Sequence, residues 1–395
     1  MGQPRIKIGL EILLEQPPVW VKTARLGLLM NQASVDWRMR YACDVVAEAF
    51  PGRLQAVFSP QHGLWCEEQD NMIETPHGVY RRLGVPVYSL YSDTRRPTAE
   101  MLEKIDCLLV DLQDVGTRVY TFVWTVSHCL EACAEACVPV VVLDRPNPLG
   151  GELFEGPLLD PRFASFVGRA AIPMRHGLTL GELARLIDEE LAIGADLCVI
   201  PMEGWRRSML LPATGRPWVP PSPNMPRFET AVVYPGAVLF EGTNLSEGRG
   251  TTTPFELVGA PYVDPFDLAD ALAEYPTPGL TVRPVRFRPT FNKWAEESCG
   301  GLALGFHEAR AVRSYAAALS ILACVRQLHP DRFAWREPPY EYEAVRPPID
   351  ILSGSDQLRL SFDEGQTSPH DVRRLAELDA DAWRDRASRS FLYPS

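Results

Sequence analysis

Residues 107–143, CLLVDLQDVGTRVYTFVWTVSHCLEACAEACVPVVVL, decide the fold class. Two short apolar runs, at 107–111 and 138–143, flank a stretch at 122–136 whose apolar side chains recur at helical spacing. Strand, helix and strand in that order make a crossover between parallel strands. The alternation extends upstream. Residues 25–30, 54–58 and 85–89 read as buried strands, and 41–50 and 98–104 as the helices between them. The first part of the chain is therefore predicted to be α/β, a parallel sheet covered by helices on both faces.

Downstream, Thr179 and Glu182 form a capping box ahead of a helix at 180–191, and 197–201 reads as a further strand. Residues 212–226, PATGRPWVPPSPNMP, are too rich in proline for a helix or a central strand. They read as an ordered loop packed by Trp218, or as a boundary. Beyond them, helical patterns at 265–274, 309–328 and 369–384 mix with strand patterns at 280–287 and 302–306. A smaller α+β domain is expected there, dividing the chain into residues 1–228 and 229–395.

The chain has 395 residues, 46% apolar and 23% charged, enough to bury several cores without disulfide or metal staples. Its formal charge of −12 argues against non-specific binding to nucleic acid or an anionic membrane. No apolar run approaches the ~18–20 residues of a membrane helix. Charges at Arg5, Lys7, Glu11 and Glu15 interrupt any signal-peptide core. Nine cysteines in apolar contexts read as reduced thiols of a cytoplasmic protein. Cys129, Cys133 and Cys137, beside His128, are expected on a buried helix face rather than around a metal.

Polar residues collect after the strands. Asn31 and Ser34 follow the first, and Gln61, His62, Glu67 and Glu68 the second. Asp114, Arg118 and Tyr120 follow residue 111, and Asp144, Arg145 and Asn147 follow residue 143. Glu241, Asn244, Glu247 and Arg249 follow an apolar run ending at Phe240 that reads as another strand. Carboxyl ends of parallel strands share one edge, where ligands bind, so these loops are expected to surround one cleft. Carboxylates, amides, arginines and aromatic rings, with Trp65, Trp124 and Trp205 near, suit a polyhydroxylated ligand. Two carboxylates flanking a glycosidic bond could supply acid and base. Burial would raise the Glu241 pKa and make it a usable acid. His176, ahead of the capping box, reads as structural. The chain lacks GxGxxG, P-loop, HExxH and GxSxG motifs, so no nucleotide cofactor, zinc or serine nucleophile is expected. Residues 248–253, GRGTTT, could cradle a phosphate, but no lysine accompanies them.

At these residues the chain resembles a known family. Asn31-Gln32-Ala33-Ser34, Ser59-Pro60-Gln61-His62-Gly63, Asp111-Leu112-Gln113-Asp114-Val115-Gly116, Asp144-Arg145-Pro146-Asn147-Pro148, Pro221-Ser222-Pro223-Asn224 and Glu241-Gly242-Thr243-Asn244 occur in the order of the YbbC/NamZ family. Tyr342-Glu343 and Pro348-Ile349-Asp350 are similar as well. The family includes exo-β-N-acetylmuramidases, which remove terminal N-acetylmuramic acid from peptidoglycan fragments. The resemblance implies a Rossmann-like domain, an auxiliary domain, a cleft between them, a small carbohydrate or muropeptide substrate, and no cofactor. Oligomeric state is not legible. It implies acid/base roles among His62, Glu67, Glu68, Asp114 and Glu241. Substrate contacts are implied from Asn31, Ser34, Gln61, Arg118, Tyr120, Asp144, Arg145, Asn147, Asn244, Glu247 and Arg249. Arg118, Arg145 and Arg249 compete for the lactyl carboxylate. The family motif reads Pro-Glu-His-Gly, with its glutamate the favoured acid, where this chain has Gln61. Glu67 or Glu68 is expected to take that role ahead of Glu241. The alternative is a catalytically silent sugar-binding protein.

Overall fold

The computed structural model describes residues 6–70 and 72–395; Arg5 lies outside them. In chain order the strands of the first part are β1 (Leu26–Met30), β2 (Leu54–Ser59), β3 (Gly78–Tyr80), β4 (Val85–Ser89), β5 (Cys107–Asp111) and β6 (Val140–Leu143). The antiparallel pair β7 (Glu155–Leu158) and β8 (Pro173–Arg175) precedes β9 (Leu197–Ile200). Helices α1 (Gly9–Glu15), α2 (Ala42–Ala49), α3 (Ala99–Leu102), α4 (Phe122–Glu135) and α5 (Leu180–Glu190) alternate with them. The main sheet runs β3-β4-β2-β1-β5-β6-β9, parallel throughout except at the β3–β4 edge.

Successive side chains of the central strands feed two separate cores, the pattern of a sheet buried on both faces. Leu108, Val110, Val140 and Val142 join one core with Val123, Leu130 and Leu183 from α4 and α5. Cys107, Leu109, Val141 and Leu143 join another with Leu10, Leu13, Val45 and Val46 from α1 and α2. Cys129 and Cys133 lie on the buried face of α4, and Cys137, just past it, is exposed. Thr179 and Glu182 close the expected capping box on α5.

The second part holds α6 (Phe228–Ala237), β10 (Leu257–Ala260), α7 (Pro265–Leu272), β11 (Thr281–Phe287), β12 (Cys299–Gly305) and α8 (Ser314–Leu328). Four short helices follow: α9 (Pro348–Ser353), α10 (Gln357–Asp363), α11 (Pro369–Leu375) and α12 (Ala380–Ala387). Its antiparallel sheet is ordered β10-β12-β11. The α/β fold with a smaller mixed second part agrees with the sequence reading. The final residues return to the first sheet, where Tyr393 meets Trp205 edge-on at 5.0 Å.

Two local expectations change, and one open alternative is decided. The apolar run before Glu241 is not a strand: it is α6 followed by a 3₁₀ turn, Val238–Gly242. Residues 230–237 are buried all round, so no polar face marks the helical period. Gly236 permits this packing, because a Cβ there would lie 1.9 Å from the Ser314 carbonyl oxygen at the start of α8. The helix expected at 369–384 is two helices, each starting at its own cap, Ser368 or Asp379. The proline-dense segment is an ordered loop, pinned where the Trp218 indole donates to the Met225 carbonyl at 3.0 Å.

Candidate active site

The chain leaves β1 toward β2 and β4 on one side, then returns to β5 on the other, so the topological switch point lies between β1 and β5. The crevice there is filled by the chain itself. Asn31 donates to the Pro221 carbonyl at 2.8 Å and Gln32 to that of Pro220 at 2.9 Å. Ser34 donates to the Asp111 carbonyl and accepts from the Asn31 amide at 3.0 Å. Arg145 grips the Asp111 carboxylate in a fork, at 2.6 and 2.8 Å, and the Val35 carbonyl at 3.0 Å. The proline-rich loop thus occupies the position a ligand takes in an open doubly wound sheet.

One open space lies beside this plug. Counting the region continuous with solvent, it amounts to about 460 Å³. The β2 loop contributes Gln61 and His62, and the segment before α4 contributes Val119–Phe122. The proline-rich loop adds Ser222, Asn224 and Met225. The second part of the chain supplies Tyr234, Glu241, Arg249, Phe255, Tyr340 and Glu341. His62, Phe255, Glu341 and the adjacent Tyr342 all hold positive φ, from +44° to +70°. Such left-handed backbone is unfavourable for these residue types, and clusters of it are typical of functional sites.

Two buried glutamates face this space in opposite electrostatic settings. Glu341 accepts from the Gln61 amide at 3.1 Å and the Tyr91 hydroxyl at 2.9 Å. Burial, reinforced by the charge of Glu241, outweighs those bonds and pushes its carboxyl up to about 7. Burial opposes ionisation of Glu241 too. Its Arg249 partner at 2.7 Å, the Tyr340 hydroxyl at 2.6 Å and the charge of Lys293 more than compensate, holding it below the usual carboxylate range. Two carboxyl groups pushed apart in this way suit separate acid and base tasks. Burial pushes His62 down to about 4, so the ring is neutral near pH 7. Its Nδ1–H donates to the Glu68 carbonyl at 2.9 Å, leaving Nε2 as an acceptor.

Of the residues expected from sequence, Gln61, His62, Tyr120, Glu241 and Arg249 line the space. Glu67 and Glu68 do not. The turn through left-handed His62, Gly63 and Cys66 sends them outward into a separate groove with Trp65 and Tyr80. Glu241 is buried as expected, but the cations beside it lower its pKa rather than raising it. Arg118 is fully buried and donates only to carbonyls, those of Pro157, Ile172 and Leu352, at 2.9–3.0 Å. Asp114 accepts from its own turn at Gly116, 2.6 Å, and faces His176 at 3.6 Å. Asp144 caps α5 through Gly181 and Thr179 and accepts from Tyr393; burial pushes it up to about 6. Asn147 ties Leu178 to Leu149, both at 2.9 Å. Asn244 binds the Arg332 carbonyl and the Tyr262 hydroxyl, away from the space. Glu247 is held by Arg249 and Lys293 just behind it.

Trp124 and Trp205 are core residues, so neither can offer a face to a sugar. An aromatic cluster lies beside Glu341, and Tyr91 within it is wholly buried. Tyr91, Phe166 and Tyr342 lie within 5.7–6.1 Å of one another, with the Arg95 guanidinium over Tyr342 at 3.9 Å. The 248–253 loop turns on itself: Thr251 donates to the Gly248 carbonyl, and the Gly250 carbonyl accepts from Thr290. Among the described residues, no three His, Cys, Asp or Glu side chains come together to hold a metal. No helix of these residues is long and apolar enough to cross a membrane.

This architecture has known relatives. The family model for the N-terminal region of exo-β-N-acetylmuramidase NamZ matches residues 26–229, and that for its C-terminal region matches residues 232–393. A peptidoglycan β-N-acetylmuramidase NamZ from Bacillus subtilis (strain 168) is 40% identical over 363 residues, 92% of this chain and 86% of that protein. Crystal structures of two DUF1343-family proteins from Bacteroides fragilis NCTC 9343 superpose on the fold. One has a TM-score of 0.87 at 33% identity, covering 99% of this chain and 100% of the other. The second has a TM-score of 0.76 at 27% identity, covering 99% of each. With both family models spanning nearly its whole length, the chain belongs to the exo-β-N-acetylmuramidase NamZ family.

Proposed function

We propose that this chain is a glycoside hydrolase that releases terminal N-acetylmuramic acid from peptidoglycan fragments. Carboxyl acid/base chemistry would take place in the cleft between residues 1–228 and 229–395. The observation that carries this reading is the pair of buried glutamates, one driven toward protonation and the other held ionised, facing one cavity. Glycoside hydrolysis needs that combination: a proton for the leaving oxygen, and an anion to activate water or stabilise the oxocarbenium-like centre. The relative's β-N-acetylmuramidase name supports the substrate class.

The test is product analysis of a tetrasaccharide of alternating N-acetylmuramic acid and N-acetylglucosamine with muramic acid at its non-reducing end. Free N-acetylmuramic acid and a trisaccharide are the expected first products. Disaccharide as the first product would replace exo by internal cleavage. Tight binding without any product would favour a silent muropeptide-binding protein.

A further inference from the structure

Gln61 lines the cavity with its amide orientation fixed. Its Oε1 accepts from the Thr121 hydroxyl at 2.6 Å, which commits Nε2 to donate. The two acceptors of that donation are the Tyr91 hydroxyl at 3.0 Å and Glu341 Oε1 at 3.1 Å. Tyr91 in turn donates to Glu341 Oε2 at 2.9 Å. An amide cannot release a proton as a carboxylic acid does. What this amide does is hold, from the first part of the chain, a carboxyl group delivered by the second. The loop delivering it is strained, with Glu341 and Tyr342 both left-handed, and no regular element contains it. Glu341 is 3% exposed and lines the cavity beside Glu241 and Tyr340.

We propose that Glu341 is the proton donor of this enzyme and that Gln61, with Tyr91, is its positioning partner. The assignment rests on the glycosidase reading above. In the step, the bond between the anomeric carbon and the glycosidic oxygen breaks, and its electron pair goes to the oxygen. That oxygen takes the proton from the Glu341 carboxyl and leaves as an alcohol. Water supplies the new bond to the anomeric carbon and, by the end of turnover, the proton that restores Glu341. The groups facing Glu341 are Gln61 and Tyr91 from the first part, with Glu241, Arg249, Tyr340 and Tyr342 from the second. The setting of these groups keeps the carboxyl partly protonated near neutrality.

The experiment compares the full-length parent with Glu341→Gln on a natural disaccharide and on an aryl muramide with a good leaving group. Loss of a general acid lowers the rate by about 10²–10⁴-fold, and a leaving group needing no proton recovers much of that. Glu341→Gln is therefore expected to lose about 10²–10⁴-fold on the disaccharide, and roughly tenfold or less on the aryl substrate. The parent rate should fall as pH rises through about 7, where Glu341 ionises, and this limb should vanish in Glu341→Gln. Gln61→Met, which keeps the volume but removes the donor, should move the limb to higher pH, because the lost bond favoured the carboxylate. Glu341→Asp retains a carboxyl and should keep the limb at reduced rate. Equal losses on both substrates with the limb intact would make Glu341 structural and overturn the proposal. Near-parental rates for Glu341→Gln would overturn it while leaving the glycosidase reading standing. A parent inactive on both substrates would overturn both.

Discussion

Glu241→Gln is expected to lower kcat on a muramide by about 10²–10⁴-fold while the protein stays folded. Glu241 is the carboxylate the site keeps charged. Arg249 lies 2.7 Å from one oxygen and the Tyr340 hydroxyl 2.6 Å from the other, and Glu241 itself is 2% exposed. Charge in such surroundings acts on a developing oxocarbenium centre, or on an attacking water, far more strongly than in solvent. The amide isostere keeps one acceptor for Tyr340 and the same volume, but removes the charge. Arg249 is not stranded by the change, since Glu247 remains 3.2 Å from its Nε. The loss should therefore appear in kcat with little change in Tm. A rate within tenfold of the parent would remove Glu241 from the chemistry.

The second large effect is on stability. Arg118→Met is expected to destabilise the fold by about 3–5 kcal/mol. The guanidinium is fully buried, and burial pulls its pKa down to about 10, so it stays charged at neutral pH. No carboxylate accepts from it; three backbone carbonyls do, from Pro157, Ile172 and Leu352. The last belongs to α9, so one side chain ties the β7–β8 segment to a helix of the second part. Methionine fills much of the space but leaves three buried carbonyls without their donor, each costing about 1–3 kcal/mol before relaxation. Chemical denaturation measures the loss. A change below about 1 kcal/mol would mean that water or a rearranged neighbour re-satisfies those carbonyls.

Much of the fold is legible because the strands feeding two cores are continuous apolar runs, as Cys107–Asp111 and Val140–Leu143 are, separated by helical periods. α6 reads as a strand for the same reason: a helix buried on every side has no polar face to mark its period. In the site, the loops after β2 and β5 reach the space from the shared carboxyl edge, while those after β1 and β6 do not line it. Asn31, Asp144, Arg145 and Asn147 have the polarity of ligand-binding residues and spend it on holding loops. Sequence spacing placed Glu67 and Glu68 close to His62, while the left-handed turn between them points them elsewhere. Glu341 was missed because it approaches from 280 residues away, on a loop with no period. The alternation Tyr340-Glu341-Tyr342-Glu343 beside paired prolines was the available signal.

Muramic-acid specificity is tested most directly by one comparison: aryl β-N-acetylmuramide against aryl β-N-acetylglucosaminide, with the same leaving group, on the full-length protein. The two substrates differ only in the lactyl ether, so the leaving-group chemistry cancels. Release of the aryl alcohol from the muramide is expected, preferred in kcat/KM by at least about 10²-fold. Equal turnover of both, or turnover of the glucosaminide alone, would contradict the muramic-acid specificity. Binding of the muramide with no release at any pH between 5 and 8 would contradict the claim that this site hydrolyses it.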